Sequence, residues 1–172
     1  MPNTSNDKKI QHTHDHELTH SMVHYLLTIH KLKESNGYAR VTDIARELKL
    51  TKGSVSTAVN NLKRKDLVLE DDSKFLSLSE TGHREVHSIL TSRTLLYYFL
   101  RDFVGVTEEA SHKDSCLMEH LLGDETREKL FQFMKKLQTH DEFNSSLDLS
   151  RFNSAHDFTD AQKGDSYLAG HD

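Results

Sequence analysis

Apolar residues recur at helical spacing along most of this chain, and the breaks in that spacing mark its layout. Over residues 17–34 they stand at Leu18, Met22, Tyr25, Leu26, Ile29 and Leu32, which lines one face of a helix. Asn36-Gly37 predicts where it stops. After Tyr38-Ala39-Arg40-Val41, Thr42 is the expected N-cap of a short helix over 43–48. Thr51 is the expected cap of another, running to about residue 65, with Val55, Val59 and Leu62 at i, i+4 and i+7. Two short helices so closely spaced predict a helix-turn-helix. The period then changes. Residues 67–69 and 75–78 read as strands joined by the polar turn Glu70-Asp71-Asp72-Ser73-Lys74, so a hairpin follows the helix pair, as in a winged helix.

Helical spacing resumes at Glu80 or Thr81 and lasts to about residue 103, through Val86, Ile89, Leu90, Leu95, Leu96, Tyr98, Phe99 and Leu100. This helix is longer and more apolar than a small DNA-binding module needs, and the surplus is expected to cover a partner, most simply a second copy. Gly105 ends it. Further helices are predicted over 108–122 and 124–137, the latter with Leu130, Phe133, Met134 and Leu137 on one face. The periodicity fails at both ends. Residues 1–15 read as a histidine-rich disordered arm. Residues 138–172 read as an acidic and mostly disordered tail, with one short docked segment around 143–152. The expected fold class is mainly α: a winged helix-turn-helix with a small β-hairpin wing over 16–80, then a helical unit over 81–137.

Composition narrows the setting. The 172 residues suffice for one domain or two small ones, with 35% hydrophobic and 28% charged residues. A lone cysteine excludes an internal disulfide and fits a reducing compartment. No apolar run approaches the ~20 residues of a membrane span, and the N-terminus lacks a signal-peptide core. A cytoplasmic protein is expected. The net charge of −5 speaks against nucleic acid if taken whole. Between residues 38 and 65, however, Arg40, Arg46, Lys49, Lys52, Lys63, Arg64 and Lys65 face only Asp43 and Glu47, a local footprint for phosphate. Thr51-Lys52-Gly53-Ser54-Val55-Ser56-Thr57 gives the second short helix a small, hydroxyl-rich start that can approach a base edge closely. The expected DNA contacts are Arg40, Thr51, Lys52, Ser54, Ser56, Thr57, Asn61 and Arg64, with Lys74 at the hairpin tip.

Two stretches carry metal-type chemistry. Cys116, Glu119 and His120 stand at i, i+3 and i+4 on one predicted helix face, with His112 one turn upstream. A sulfur, an oxygen and a nitrogen on one face suit a metal. They equally suit a buried cysteine beside a surface Glu-His pair. His16-Glu17-Leu18-Thr19-His20 matches the H-E-x-x-H of zinc proteases, but it lies at a frayed helix start and lacks the glycine of the metzincin extension. A hydrolase is disfavoured. His16, His20 and His24 share roughly one face, and for His16 and His20 a solvated histidine face is the expectation.

The order of these features resembles the diphtheria toxin repressor and manganese transport regulator family of metal-activated repressors, over about residues 21–137. The resemblance rests on Ser21-Met22-x-x-Tyr25, Gly37-Tyr38-Ala39-Arg40-Val41, Ser54-Val55-Ser56 and Thr81-Gly82. It extends to Phe99-Leu100 before Gly105-Val106 and to Cys116-x-x-Glu119-His120. It implies a non-enzymatic, metal-responsive repressor controlling iron, manganese or zinc homeostasis genes, a homodimer on a palindromic operator. It also implies a primary metal site at His24, Cys116, Glu119 and His120. His24 departs from the methionine or aspartate usual at its position, and a donor set with thiolate and two imidazoles favours Zn(II), Fe(II) or Co(II) over Mn(II). His112 is the retained ligand of an ancillary site whose other positions align with Arg93 and Tyr97, neither suited to ligation. Arg93 would then place a fixed charge where a metal would sit. The alternative is a winged-helix regulator that has lost metal control.

Overall fold

The computed structural model describes residues 18–139, 148–150 and 153–155. The histidine-rich arm, and with it His16 and Glu17, lies outside them, as does most of the acidic tail.

Six helices and one hairpin make up the described residues: α1 (His20–Asn36), α2 (Val41–Glu47), α3 (Lys52–Arg64), β1 (Val68–Glu70), β2 (Leu76–Leu78), α4 (Glu80–Tyr98), α5 (Glu108–Met118) and α6 (Asp124–Leu137). Thr19 caps α1 by accepting from the Met22 amide, and Gly37, with φ of 78°, closes its C-terminus by donating to the Lys33 carbonyl. That left-handed position is one a glycine fills without a Cβ penalty. The Thr51 hydroxyl caps α3, accepting from the Ser54 amide at 3.1 Å. α2 begins one residue before the expected cap: Arg40, in extended conformation, occupies that position without a side-chain bond. Thr42 falls inside the helix because Val41 packs against the core and must be its first residue.

β1 and β2 pair antiparallel with Val68 opposite Leu78 and Glu70 opposite Leu76. The Leu76 amide also donates to the Ala39 carbonyl at 2.8 Å, so the chain before α2 adds a third edge to the wing. The first core gathers Val23, Leu26 and Ile29 of α1, Ile44 of α2, Val55, Val59 and Leu62 of α3, Leu76 of the wing, and Val86 and Ile89 of α4.

α4 leaves this core and enters a second. Leu95, Tyr97 and Tyr98 pack with Phe131 and Met134 of α6 and with Leu149 and Ala155. After Tyr98 the helix continues in π register over Phe99–Val104 and stops at Gly105, φ 81°. The sequence predicted one helix to residue 103, with its apolar surplus facing a partner. Instead Leu95, Leu96, Tyr97 and Tyr98 are buried within this chain, with Phe131 and Met134 of α6, Leu149 and Ala155 packed against Leu95, Tyr97 and Tyr98. Of the segment expected to dock around 143–152 only 148–150 are described, and there the Leu149 amide donates to Gln138 at 3.0 Å; beyond it the Ala155 amide donates to Glu128 at 3.1 Å. Phe143 and Phe152 lie outside the described residues.

The junction of wing and α4 is tight. The Ser79 amide donates to the Leu67 carbonyl at 3.1 Å, and the Ser79 hydroxyl accepts from the Gly82 amide at 3.0 Å. A Cβ on Gly82 would stand 2.0 Å from the Leu67 carbonyl oxygen. Replacing a helical glycine by alanine favours the helix by about 1 kcal/mol, but a clash with backbone cannot be relieved by a rotamer. Gly82→Ala is therefore expected to destabilise the protein by about 1–3 kcal/mol, read as a lower urea midpoint.

Candidate metal centre and nucleic-acid interface

α1 and α5 meet at the end of α1 farthest from the wing. His24, half-buried on α1, directs Nε2 to within 4.0 Å of Cys116 Sγ on α5, 92 residues away. One turn earlier, His20 brings its Nε2 to 2.9 Å from that of His24, the rings meeting edge-on at 4.5 Å between centroids. One donor atom from each of His20, His24 and Cys116 lies within 4.8 Å of the others. The His120 ring stands 5.4 Å from the His20 ring. His20 does not face solvent as expected. The approach of α5 turns a nominal surface position into one wall of a cluster, and its Nδ1 is buried without a hydrogen-bond partner.

Glu119 faces elsewhere. It is 1% exposed, and both its oxygens accept from Arg93 on α4, from Nε and, at 3.0 Å, from Nη2. The same Nη2 reaches Cys116 Sγ at 3.4 Å. Burial pushes the Glu119 carboxyl up to about 7, outweighing the downward pull of Arg93. Burial also raises the Cys116 thiol against the pull of Arg93. His24 is held below its usual value, first by burial and then by His20, Arg93 and His120. Burial thus disfavours charge on His24, Cys116 and Glu119, and a cation offering direct coordination would meet a His24 imidazole with a free lone pair and a thiol able to ionise on binding.

Of the five residues expected to hold metal, the structure brings His24 and Cys116 together with His120 alongside, commits Glu119 to Arg93, and seats His112 apart. The His112 ring lies 4.3 Å from the Tyr97 ring, with Nε2 4.0 Å from Glu108. Tyr97 accepts from Arg101 Nη1 at 2.8 Å. Around His112 there is instead a network of arginine, phenol, carboxylate and imidazole formed by Arg101, Tyr97, Glu108 and His112. His20 joins the cluster unforeseen, and its i−4 relation to His24 was the signal available.

The DNA-facing candidates divide. Lys52, Ser54, Ser56 and Thr57 are exposed at the start of α3. Thr51 is exposed while its hydroxyl caps the helix. Asn61 and Arg64 bond each other near the C-terminus of α3. The Arg40 guanidinium lies over the Phe75 ring at 4.3 Å, beside the wing. Lys74 sits at the hairpin turn with φ of 65° and an ion pair to Glu70 at 3.4 Å.

A winged helix joined to a helical unit, with a histidine-cysteine cluster between the first helix and the second unit, defines a metal-responsive DNA-binding regulator. Residues 17–74 match the family described as iron dependent repressor, N-terminal DNA binding domain, and residues 79–146 match iron dependent repressor, metal binding and dimerisation domain. The chain belongs to the iron-dependent repressor family and is a metal-responsive transcriptional repressor. It is 30% identical over 122 residues to an uncharacterised HTH-type transcriptional regulator of Methanocaldococcus jannaschii, covering 70% of this chain and 98% of that one. It is 28% identical over 115 residues to the diphtheria toxin repressor of Corynebacterium jeikeium, covering 67% of this chain and about half, 48%, of that one. Among solved structures it is similar to the manganese regulator SloR, at a TM-score of 0.58 and 26% identity, covering 66% of this chain and 53% of that one. No helix among the described residues is long and apolar enough to cross a membrane.

Because Glu119 is sealed from water and held by two hydrogen bonds from Arg93, Arg93→Ala is expected to cost the metal-free protein about 1–3 kcal/mol by leaving a buried carboxyl without its donors. Replacing both partners, Arg93→Met with Glu119→Met, should recover most of that loss. Urea unfolding in chelator reads both.

Proposed function

We propose that this chain represses transcription as a homodimer on a palindromic operator, and that a divalent metal held between α1 and α5 sets the spacing of its two reading helices. The observation that carries this reading is the approach of His24 Nε2 to Cys116 Sγ at 4.0 Å. α1 packs in the core that holds α3, whereas α5 packs on α4 and its π-helical extension. A cross-link between two helices is what a metal supplies when bound there, with His20, His24, Cys116 and His120 offering nitrogen and sulfur donors. The chain's own residues do the rest. α1, fixed at His24, carries α3 with it through Val23, Leu26, Val55 and Val59, and one arrangement of α3 in each copy fits successive major-groove turns about 34 Å apart. Metal and DNA then strengthen each other's binding by the same factor.

The exposed start of α3 supports base and phosphate contact by Lys52, Ser54, Ser56 and Thr57. Arg40 and Lys74 suit phosphates beside the wing. For the dimer seam, Leu117, Met118 and Leu121, 49%, 40% and 65% exposed, offer an apolar face on and just after α5. Burying them against a second copy would place the seam beside the metal cluster.

The experiment is fluorescence anisotropy on an operator selected from random duplexes, at buffered free metal. Wild type is expected to bind at least about tenfold more tightly with metal than with chelator, a differential of ~1.4 kcal/mol. His24→Ala and Cys116→Ala should remove that difference while leaving basal binding. Equal binding with metal and chelator in the wild type would instead identify a regulator free of metal control. Lys52→Ala should weaken all duplexes alike and reduce the salt slope by about 1.

A further inference from the structure

We propose that the metal site of this chain is built from nitrogen and sulfur alone, with His20 taking the place expected of Glu119, and that Arg93 is the positioning residue that keeps the carboxylate out. The proposal deepens the regulatory reading above and rests on it only for the consequence at DNA.

Geometry comes first. In a tetrahedral site with metal–nitrogen bonds of about 2.0 Å and metal–sulfur bonds of about 2.3 Å, neighbouring donors lie ~3.3–3.6 Å apart. The separations of 2.9 Å between His20 and His24 nitrogens and 4.0 Å between His24 and Cys116 bracket that range. His20 Nδ1 is buried without a hydrogen-bond partner, and the ring is placed through Nε2, which shares a hydrogen bond with His24 Nε2 at 2.9 Å. His20, His24 and Cys116 already hold one donor atom each within 4.8 Å of the others, and His120, its ring centroid 5.4 Å from that of His20, is the neighbouring imidazole that would complete a set of four.

Glu119 is excluded by a competitor rather than by distance along the chain. Arg93 binds it through two nitrogens, in the fork geometry that a carboxylate matches best. Turning Glu119 toward a metal would break both bonds and strand a guanidinium with 18% side-chain exposure. Arg93 Nη2 also lies 3.4 Å from the Cys116 sulfur, but its part in the site is to withhold the oxygen. The exchange removes one anionic ligand and leaves three imidazoles and one thiolate. Such a set suits Zn(II) and its spectroscopic substitute Co(II), and disfavours Mn(II), which prefers oxygen.

The test is Co(II) titration of the purified full chain without an affinity tag, followed by sulfur-to-cobalt charge-transfer absorption and the intensity of the visible bands, with Zn(II) competition for affinity. Wild type is expected to give strong four-coordinate bands that about a hundredfold excess of Mn(II) does not displace. His20→Ala should lower Co(II) affinity at least about tenfold, since even partners one shell further out are worth that much, and should change the visible bands. The double variant Arg93→Met with Glu119→Met, which leaves no buried charge unpaired, should keep the wild-type spectrum and affinity within about threefold. Far-UV circular dichroism confirms folding of each. The donor set is overturned if His20→Ala titrates like wild type, or if the folded double variant loses Co(II) as Cys116→Ala does. Metal-dependent operator binding in His20→Ala at the same free metal concentration as the wild type would overturn the donor set alone. A wild-type Co(II) spectrum without any metal effect on the operator would leave the donor set standing and sink the regulatory reading.

Discussion

α4 is the member on which the rest of the structure hangs. Its first half belongs to the core of the DNA-reading unit through Val86 and Ile89, and its second half to the core of the helical unit through Leu95, Tyr97 and Tyr98. A continuous helix resists bending between its turns, so the two cores cannot move independently of it. Ser79 fastens its start to the carbonyl groups of residues 66 and 67, while the Ser79 hydroxyl accepts from the Gly82 amide. Its midpoint carries Arg93, which reaches Glu119 on the α5 side. α1 and α5 both pack on α4, and the imidazoles and the thiol stand where α1 and α5 face each other.

Much of this was legible in the sequence because it is written in local terms. Val55, Val59 and Leu62 are spaced to bury, and they do. Thr51 and Gly37 perform the capping their residue types favour. The polar stretch 70–74 became a hairpin turn, with Asp71 accepting from the Ser73 and Phe75 amides at 2.9 Å each. His24 and Cys116 were paired through the family resemblance, and the structure sets them side by side.

What could not be read depends on elements far apart in the chain. His20 looks solvent-facing on its own helix; only the approach of α5 buries it. Arg93 looks like a missing ligand until α5 places Glu119 within its reach. The apolar excess of α4 looks like a partner surface until Phe131, Met134 and Leu149 are folded onto it. In each case the residue type and its helical face were read correctly, and the neighbour across the interface was not. Periodicity gives the face and says nothing of what covers it.

The pairing of Arg93 with Glu119 also bears on charge. A site with one thiolate and one carboxylate presents two negative charges to a divalent ion and neutralises it. Here the carboxylate is already matched by a guanidinium, so the ion would meet one thiolate and neutral imidazoles. Burial makes that difference matter, since charge interactions weaken little where water is scarce. The metal-loaded pocket would then keep a net positive charge, repelling Arg93 while it holds the Cys116 sulfur. Tightness in such a site must come from bond covalency, which sulfur and imidazole supply to late transition metals and oxygen does not. Arg93 therefore shapes selectivity without touching the ion. It sets which atoms remain available, and it makes the hard, ionically bound cations the least favoured occupants.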